Sequence, residues 1–304
     1  MKSWWLKLHR WAALLFALPL AVVLGTGLVL SFEPWLVTGA IEPGSISPAR
    51  LETLLSRHDP TGQARSLTYR SYDGTLTIGA GRGGGMSVDV ASGEAVAGLS
   101  TLASLLVTTR RLHETLLIDA GWLVTASTIA MLLLAALGIF MGWPRFANTL
   151  AGWHKAMAWG LLPLIVLSPL TGLLLVWGVT FAGAPPASAT PGGPPLRLVE
   201  AVQIVGEHHD LSALVWLRPQ RGRLLARLVE NGEFRVYAVT RDGMSATPRN
   251  WPRLWHEGNF AGAWSALMNA VTSLAMIGLL VTGVWMWTRR RLRMRVRRVQ
   301  AASG

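Results

Sequence analysis

The sequence predicts a membrane α-helical protein: a four-helix transmembrane bundle built from a tandem repeat, with two α+β modules outside the membrane. Three observations predict this class. Hydrophobic residues make up 51% of the 304 residues and charged residues only 14%, against about 25% in ordinary soluble domains. Four apolar stretches approach or exceed the roughly 20 residues that a helix needs to cross a bilayer. Matching motifs recur in the two halves of the chain.

The four apolar stretches lie at about 11–33, 120–142, 156–181 and 261–287. The first is rich in Trp and long for a signal peptide, and no small-residue cleavage site follows it closely. We therefore expect it to be retained as the first span.

The net charge of +12 is distributed unevenly. Its whole excess lies in the segments 1–10, 143–155 and 288–304, which contain bases and no acids. Four spans would place these three segments on one side of the membrane, and the positive-inside rule makes that side the cytoplasm. Both termini are then cytoplasmic. Binding of the arginine tail to nucleic acid is disfavoured, because the tail directly follows a span and membrane lipid of negative charge accounts for it.

The chain divides into eight predicted segments. These are span 1 with its cytoplasmic N-terminus (1–33), outer module 1 (34–112), span 2 (113–142), a cytoplasmic turn (143–155), span 3 (156–181), a Pro/Gly-rich linker with outer module 2 (182–255), span 4 (256–287) and a basic cytoplasmic tail (288–304).

Each outer module has the pattern of one helix followed by strands. "SPARLETLLSRHD" has helical spacing behind a Ser-Pro start, and "ARSLTYRS", "GTLTIGAG" and "GMSVDVASG" alternate as strands do. The second module repeats this order with "PLRLVEAVQIVGEHHD", "ALVWLRP", "RLLARLVE" and "FRVYAVT". Because both halves cross the membrane in the same direction, we expect them to be related by an axis along the membrane normal.

Four histidines lie at or near the span ends in two matched pairs. His9 and His154 share an offset of 145 positions with Thr26-Gly27 and Thr171-Gly172, and we place this pair on the cytoplasmic side. His113 and His256, each followed by Glu, form the outer pair. A pairing across sides would have to bridge about 30 Å of hydrocarbon. The repeat axis therefore predicts that His9 faces His154 and that His113 faces His256.

Two facing imidazoles match the two axial positions of a haem iron. Zinc is disfavoured because it takes three or four protein ligands and no carboxylate cluster accompanies these histidines. Copper remains open, although no Met pattern supports it. Cys is absent, which excludes disulfides and covalent c-type haem. We predict two non-covalent haem b groups, each with two histidine ligands, with interfacial anchoring of the histidines as the structural alternative.

Neighbouring bases are candidates for contact with the haem propionates. Arg10 follows His9 and Lys155 follows His154, and both also suit a role as positive-inside anchors. On the outer side the candidates are Arg110, Arg111 and Arg253. The remaining histidines, His58, His208 and His209, fall where the predicted module helices end and are interpreted as helix-end or surface residues.

Five segments carry a family resemblance: "LHRWAALLFALPLAVVLGTGLVLSFEP", "RLHETLL", "WHKAMAWGLLPLIVLSPLTGLLL", "LWHEGNFAGAW" and "LLVTGVWMWTRRR". They resemble the PepSY-associated transmembrane family of bacterial inner-membrane proteins, and the outer modules resemble its PepSY domains. The resemblance implies a multi-pass protein of the bacterial cytoplasmic membrane. It also implies a role in iron uptake, since members include reductases that release iron from ferric siderophores with haem held by span histidines.

The resulting functional prediction is an oxidoreductase that transfers electrons across the membrane to a periplasmic ferric chelate. No G-x-G-x-x-G follows a predicted strand, so the electron donor is expected to be a quinol or a separate cytoplasmic protein. Two alternatives remain open. One is a regulatory protein that restrains a periplasmic peptidase. The other is a transporter or its accessory subunit, although no charge lies deep in any span.

Overall fold

The computed structural model describes residues 2–81, 84–143, 147–183, 196–220 and 222–302. The chain forms two compact units. The helical unit comprises Met1–Ser31, Thr108–Val179 and Leu267–Gly304, and the sheet unit comprises Phe32–Val107 and Thr180–Ala266. Arg145 and most of the Pro/Gly-rich linker at 183–195 lie outside the described residues.

Eleven α-helices are formed by the described residues. They are α1 (Lys2–Leu15), α2 (Ala17–Leu30), α3 (Glu33–Gly39), α4 (Pro48–His58), α5 (Thr101–Thr115), α6 (Gly121–Phe140), α7 (Leu150–Gly160), α8 (Leu162–Val176), α9 (Leu198–His208), α10 (Trp251–Glu257) and α11 (Ala263–Ala302). The strands are β1 (Ser66–Arg70), β2 (Thr75–Gly81), β3 (Gly84–Asp89), β4 (Ala95–Val96), β5 (Leu214–Gln220), β6 (Arg223–Glu230), β7 (Glu233–Thr240) and β8 (Gly243–Ala246).

Three helical stretches are long and apolar enough to cross a membrane: Ala17–Gly39, Gly121–Phe140 and Ala263–Val296. A fourth is added when α7 and α8, which meet at 63°, count as one bent span. Large apolar side chains on these helices are exposed, among them Leu18 at 77% and Trp122 at 72%. Such exposure suits a surface in contact with lipid rather than water.

The apolar segments predicted as spans 1 and 3 begin with a helix break. The breaks fall at Phe16, between α1 and α2, and at Leu161, between α7 and α8. Pro19 and Pro163 follow these breaks. Proline has no N–H to donate to the carbonyl four residues earlier, and its ring collides with that carbonyl. Spans 1 and 3 are therefore not continuous helices, and each is preceded by a short helix of its own.

The helical unit has a small apolar core. Leu24 of α2, Ile165 of α8 and Met276 of α11 are buried together, and Met131 and Ala135 of α6 pack against them. Helix α6 contacts α1, α2 and α8.

The sheet unit is one antiparallel sheet of eight strands in the order β4-β3-β2-β1-β5-β6-β7-β8. Each half of the chain supplies four neighbouring strands, and β1 pairs with β5 at the seam with Leu67 opposite Leu217. Two separate modules were the expectation from sequence. The strand pattern alone cannot predict that the two modules share one sheet. An edge strand such as β1 or β5 can pair with a further strand, but its own sequence does not specify which strand that is.

Helices α4 and α9 share one apolar core with this sheet. Buried residues recur at i, i+3 and i+4 in both helices, as Leu51, Leu54 and Leu55 show for α4. That spacing forms one apolar stripe facing the sheet. The Ser47 side chain caps α4 by accepting from the Arg50 N–H at 3.2 Å, as the Ser-Pro start predicts.

Helix α10 is attached to the sheet by a half-buried ion pair. The Arg227 guanidinium on β6 donates to the Glu257 carboxylate at 2.8 Å, and these side chains are only 12% and 19% exposed. Arg253 donates to the same carboxylate at 2.9 Å, and the Asn259 side-chain amide does so at 2.7 Å. The end of α10 is thereby fixed against the sheet.

The shared core makes a prediction about Leu217→Ala. Leu217 is fully buried at the seam, and truncating a buried leucine costs about 2–5 kcal/mol. Because both halves share the core, we expect faster amide hydrogen exchange in β1–β3 as well as in β5–β7 of the full chain in detergent. Leu99→Ala, at a 38% exposed position, is the control with little effect. Faster exchange confined to β5–β8 would contradict a common core.

The Arg227–Glu257 pair makes a second prediction. Glu257→Gln leaves a buried guanidinium without its charge partner, which costs about 3 kcal/mol when a buried pair is broken from one side. We expect a lower apparent melting temperature and faster proteolysis at α10. Glu94→Gln removes an exposed pair with Arg57 and should cost less than about 1 kcal/mol. Equal effects of the two substitutions would show that burial does not strengthen the α10 attachment.

Candidate functional site

The four predicted histidines share a position in the fold. His9 lies on α1, His113 on α5, His154 on α7 and His256 on α10. Each of these helices directly precedes an apolar helix, so each histidine lies near the start of a span, and His154 lies within it when α7 and α8 count as one bent span. His9, His113 and His154 belong to the helical unit, and His256 belongs to the sheet unit. The facing of His113 and His256 therefore remains a prediction.

The helical unit brings His9 and His154 together at one end, which we call the basic end, defined by Arg10, Lys155, Arg290 and Arg291. The two imidazoles are close enough to interact electrostatically, and both are half-buried. Lys155 is exposed.

A cavity of about 250 Å³ lies at the basic end. Arg10, Arg290 and Arg291 line it together with the indoles of Trp11 and Trp287. The Arg291 guanidinium lies 5.5 Å from the Trp287 ring centroid, within cation–π range. The residue after His9 therefore faces a cationic cavity, whereas Lys155 is directed to the surface.

A threonine hydroxyl orients His154. The Nδ1 atom of His154 lies 2.8 Å from Thr282 Oγ1 on α11. The same hydroxyl donates to the Gly278 carbonyl oxygen at 2.6 Å, so its hydrogen is already engaged. It therefore accepts from His154, which requires that Nδ1 carries the proton. Nε2 then carries the lone pair, which is the form of neutral imidazole that binds a metal through Nε2.

His113 is held by the same arrangement at the opposite end of the helical unit. Its Nδ1 lies 3.0 Å from Thr26 Oγ1 and 3.1 Å from the Val23 carbonyl oxygen on α2. Thr26 donates to the Val22 carbonyl at 2.7 Å. A carbonyl oxygen can only accept. The proton of His113 is therefore on Nδ1, and its Nε2 carries the lone pair.

A glycine follows each of these threonines and contacts the ring. A Cβ placed on Gly27 would lie 3.4 Å from His113 Cε1, and one on Gly283 would lie 3.7 Å from His154 Cε1. A side chain longer than a methyl group at either position would press on the imidazole. The Thr-Gly pair thus supplies both the hydrogen bond and the space beside the ring.

His9 differs from these two histidines. Its Nδ1 is buried and has no hydrogen-bond partner among the described residues. The Leu134 carbonyl of α6 lies near the ring. A buried polar atom without a partner is uncommon in native structures and calls for an explanation.

Positive charge surrounds the helix that carries His256. Burial lowers the pKa of Arg218 on β5, and repulsion by Arg227 and Arg253 lowers it further. The negative charge of the Glu257 carboxylate partly compensates the positive charge of these three guanidiniums. Arg110 and Arg111, the other outer candidates, lie on α5.

The remaining histidines have structural partners in the sheet unit. His58 Nε2 lies 2.9 Å from the Gly93 carbonyl, and His208 Nδ1 lies 2.8 Å from the Ile204 carbonyl at the end of α9. His209 pairs with Glu230 at 2.9 Å. Within the described ranges, no group of three or more His, Cys, Asp or Glu side chains is placed to hold a metal ion.

Sequence reasoning overlooked the residues that hold the rings. Thr26-Gly27 was used only to mark the repeat. Thr282 was not singled out. A signal was nevertheless present, since Thr-Gly occurs in three of the four apolar stretches, at 26–27, 171–172 and 282–283.

A comparison with curated proteins finds no match. The family model described as the PepSY-associated TM region matches residues 6–290, which include all four histidines and both units. The chain therefore belongs to the PepSY-associated TM region family.

Proposed function

We propose that this protein is a two-haem electron-transfer protein of the bacterial inner membrane that reduces a ferric chelate, such as a ferric siderophore, in the periplasm. The observation that carries the proposal is the state of the histidines. His154 and His113 are held through Nδ1, which leaves the ring lone pair on Nε2. His9 lies beside His154, which supplies two imidazoles at one end of the helical unit.

The residues fit the group. Metal-bound histidines commonly give their other ring N–H to an oxygen acceptor, which fixes the ring and strengthens the ligand. Thr282 and Thr26 supply that acceptor. A haem iron needs only two axial ligands from the protein, which suits a pair of imidazoles better than it suits zinc.

Different residues would hold the two haems. His9 and His154 would be the axial ligands at the basic end, where Arg10 offers a guanidinium to a propionate and Lys155 is the second candidate. His113 and His256 would be the ligands of the outer haem. A bound haem supplies reversible one-electron transfer at its iron. The apolar helices exclude water from the rings, and Gly27 and Gly283 leave room beside them.

The charge near His256 favours an anionic acceptor. The three positive charges of Arg218, Arg227 and Arg253 outnumber the single negative charge of the Glu257 carboxylate near them. Such an excess attracts carboxylates and ferric chelates of negative charge and raises their local concentration. A quinol or a cytoplasmic protein would supply the electrons at the basic end, where membrane lipid meets the arginine-rich end of α11.

Haem content tests the proposal. The purified full-length protein is expected to hold about two haem b per chain with two histidines on each iron, measured by pyridine haemochromogen assay and reduced-minus-oxidised spectra. His9→Ala or His154→Ala should remove one haem, and His113→Ala or His256→Ala the other. His208→Ala is the control that retains both. A haem-free protein, or unchanged haem content in the first four variants, would refute the proposal and favour a regulatory membrane protein.

The Thr-Gly pair gives a further prediction. Gly283→Leu places a branched side chain against the His154 ring, so we expect lower occupancy of one haem by about tenfold, in line with other changes next to metal ligands. Gly138→Leu is the matched control on α6, because a Cβ at Gly138 meets no atom of the described residues within 4 Å. Equal haem loss in both variants would show that the glycine acts through helix packing alone.

A further inference from the structure

Helices α6 and α11 are copies of one another in the tandem repeat. The segments "STIAMLLLAALGIFM" (127–141) and "TSLAMIGLLVTGVWM" (272–286) align without gaps at an offset of 145 positions. This is the same offset that relates His9 to His154. The alignment superposes Met131 on Met276, both in the apolar core. It also superposes Gly138 on Gly283.

The alignment places Leu137 where the second copy has Thr282. Thr282 supplies the hydroxyl that accepts from His154 and that donates to the carbonyls of Gly278 and Leu279. Leu137 is buried, with 7% of its surface exposed, and offers no acceptor. The first copy therefore has the histidine and the glycine but not the threonine.

The surroundings of His9 match this loss. The carbonyl of Leu134 lies near its ring, and Leu134 is the counterpart of Leu279, whose carbonyl accepts from Thr282 in the second copy at 3.2 Å. In the second copy the Thr282 hydroxyl lies between the His154 imidazole and the backbone of α11. In the first copy it is missing, and Nδ1 has no hydrogen-bond partner in the part of the chain that the structure describes.

The glycines of the two copies, Gly138 and Gly283, also differ in their contact with the histidine ring. The Cβ position of Gly283 is 3.7 Å from His154 Cε1, whereas no atom of the described ranges lies within 4 Å of the Cβ position of Gly138. The His9 ring is therefore not seated against its glycine as the His154 ring is. Three observations thus separate the two members of the basic-end pair.

We propose that Leu137 makes the two histidines of the basic end unequal ligands, with His154 the fixed ligand and His9 the exchangeable one. The inference rests on the proposed haem function. An imidazole whose Nδ1–H is hydrogen bonded is oriented and is a stronger donor at Nε2. His154 has both advantages, whereas the Nδ1 of His9 has the Leu134 carbonyl near it but no hydrogen bond of good geometry among the described residues. With haem bound, His9 would be the ligand that a small external ligand replaces, and Leu137 and Thr282 act as positioning residues.

Carbon monoxide binding tests this order of ligand strength. The background is His256→Ala, which should remove the outer haem and leave the basic-end haem. In this background Leu137→Thr gives His9 an acceptor and is expected to lower carbon monoxide affinity of the reduced protein about tenfold. Thr282→Leu should raise the affinity. The control is Thr272→Val on α11, whose hydroxyl bonds only the Met268 carbonyl in the described residues.

The double variant Leu137→Thr/Thr282→Leu should exchange the two roles. Where Leu137→Thr does not accumulate, Leu137→Ser supplies the same hydroxyl. A change of less than twofold on introducing the hydroxyl would overturn the proposal.

Nitrogen NMR separates this inference from the haem proposal. In ¹⁵N-histidine-labelled full-length protein, His154 is expected to show a hydrogen-bonded Nδ1–H and His9 is not, whether or not haem is present. Leu137→Thr should create the missing signal. A protein without haem but with this difference would refute the haem function and retain the inequality. Haem-loaded protein with identical hydrogen-bonded Nδ1–H signals would refute the inequality alone.

Discussion

A threonine hydroxyl whose hydrogen is already bonded to its own helix can only accept, and the histidine arrangement depends on that constraint. At Thr282 and Thr26 the hydroxyl donates to a carbonyl one turn earlier, as is common for threonine in apolar helices. The imidazole opposite must then place its proton on Nδ1. The threonine hydroxyl and the span backbone thus fix the tautomer and the orientation of the imidazole. No charged group is needed for this in the membrane, where charge is costly.

The helix breaks make this contact possible. Because α1 and α7 are separate from the apolar helices that follow them, His154 is presented to α11 from a short helix set at 63° to α8. A straight span would place the ring along the span axis. Proline near the start of the apolar segment therefore breaks the helix, and the break also sets the position of the histidine.

Much of this was accessible from sequence. The offset of 145 positions matched His9 with His154, and alternation of apolar residues located β1–β3 and β5–β7. Local patterns failed where the partner is distant in sequence. Thr282 lies 128 positions from His154, and β5 joins β1 across the whole of the intervening helices. The Leu137–Thr282 difference was visible in the sequence but had no meaning until a hydrogen bond gave position 282 a role.

The eight-stranded sheet has a consequence for biosynthesis. When the ribosome has completed β1–β4, the edge of β1 that β5 will cover is still open, and three further hydrophobic helices must be made before β5 exists. An unpaired strand edge invites pairing with other chains, so the half-made protein depends on a chaperone or on rapid synthesis to avoid aggregation. A gene truncated after the first repeat would produce an insoluble half, not a smaller working protein.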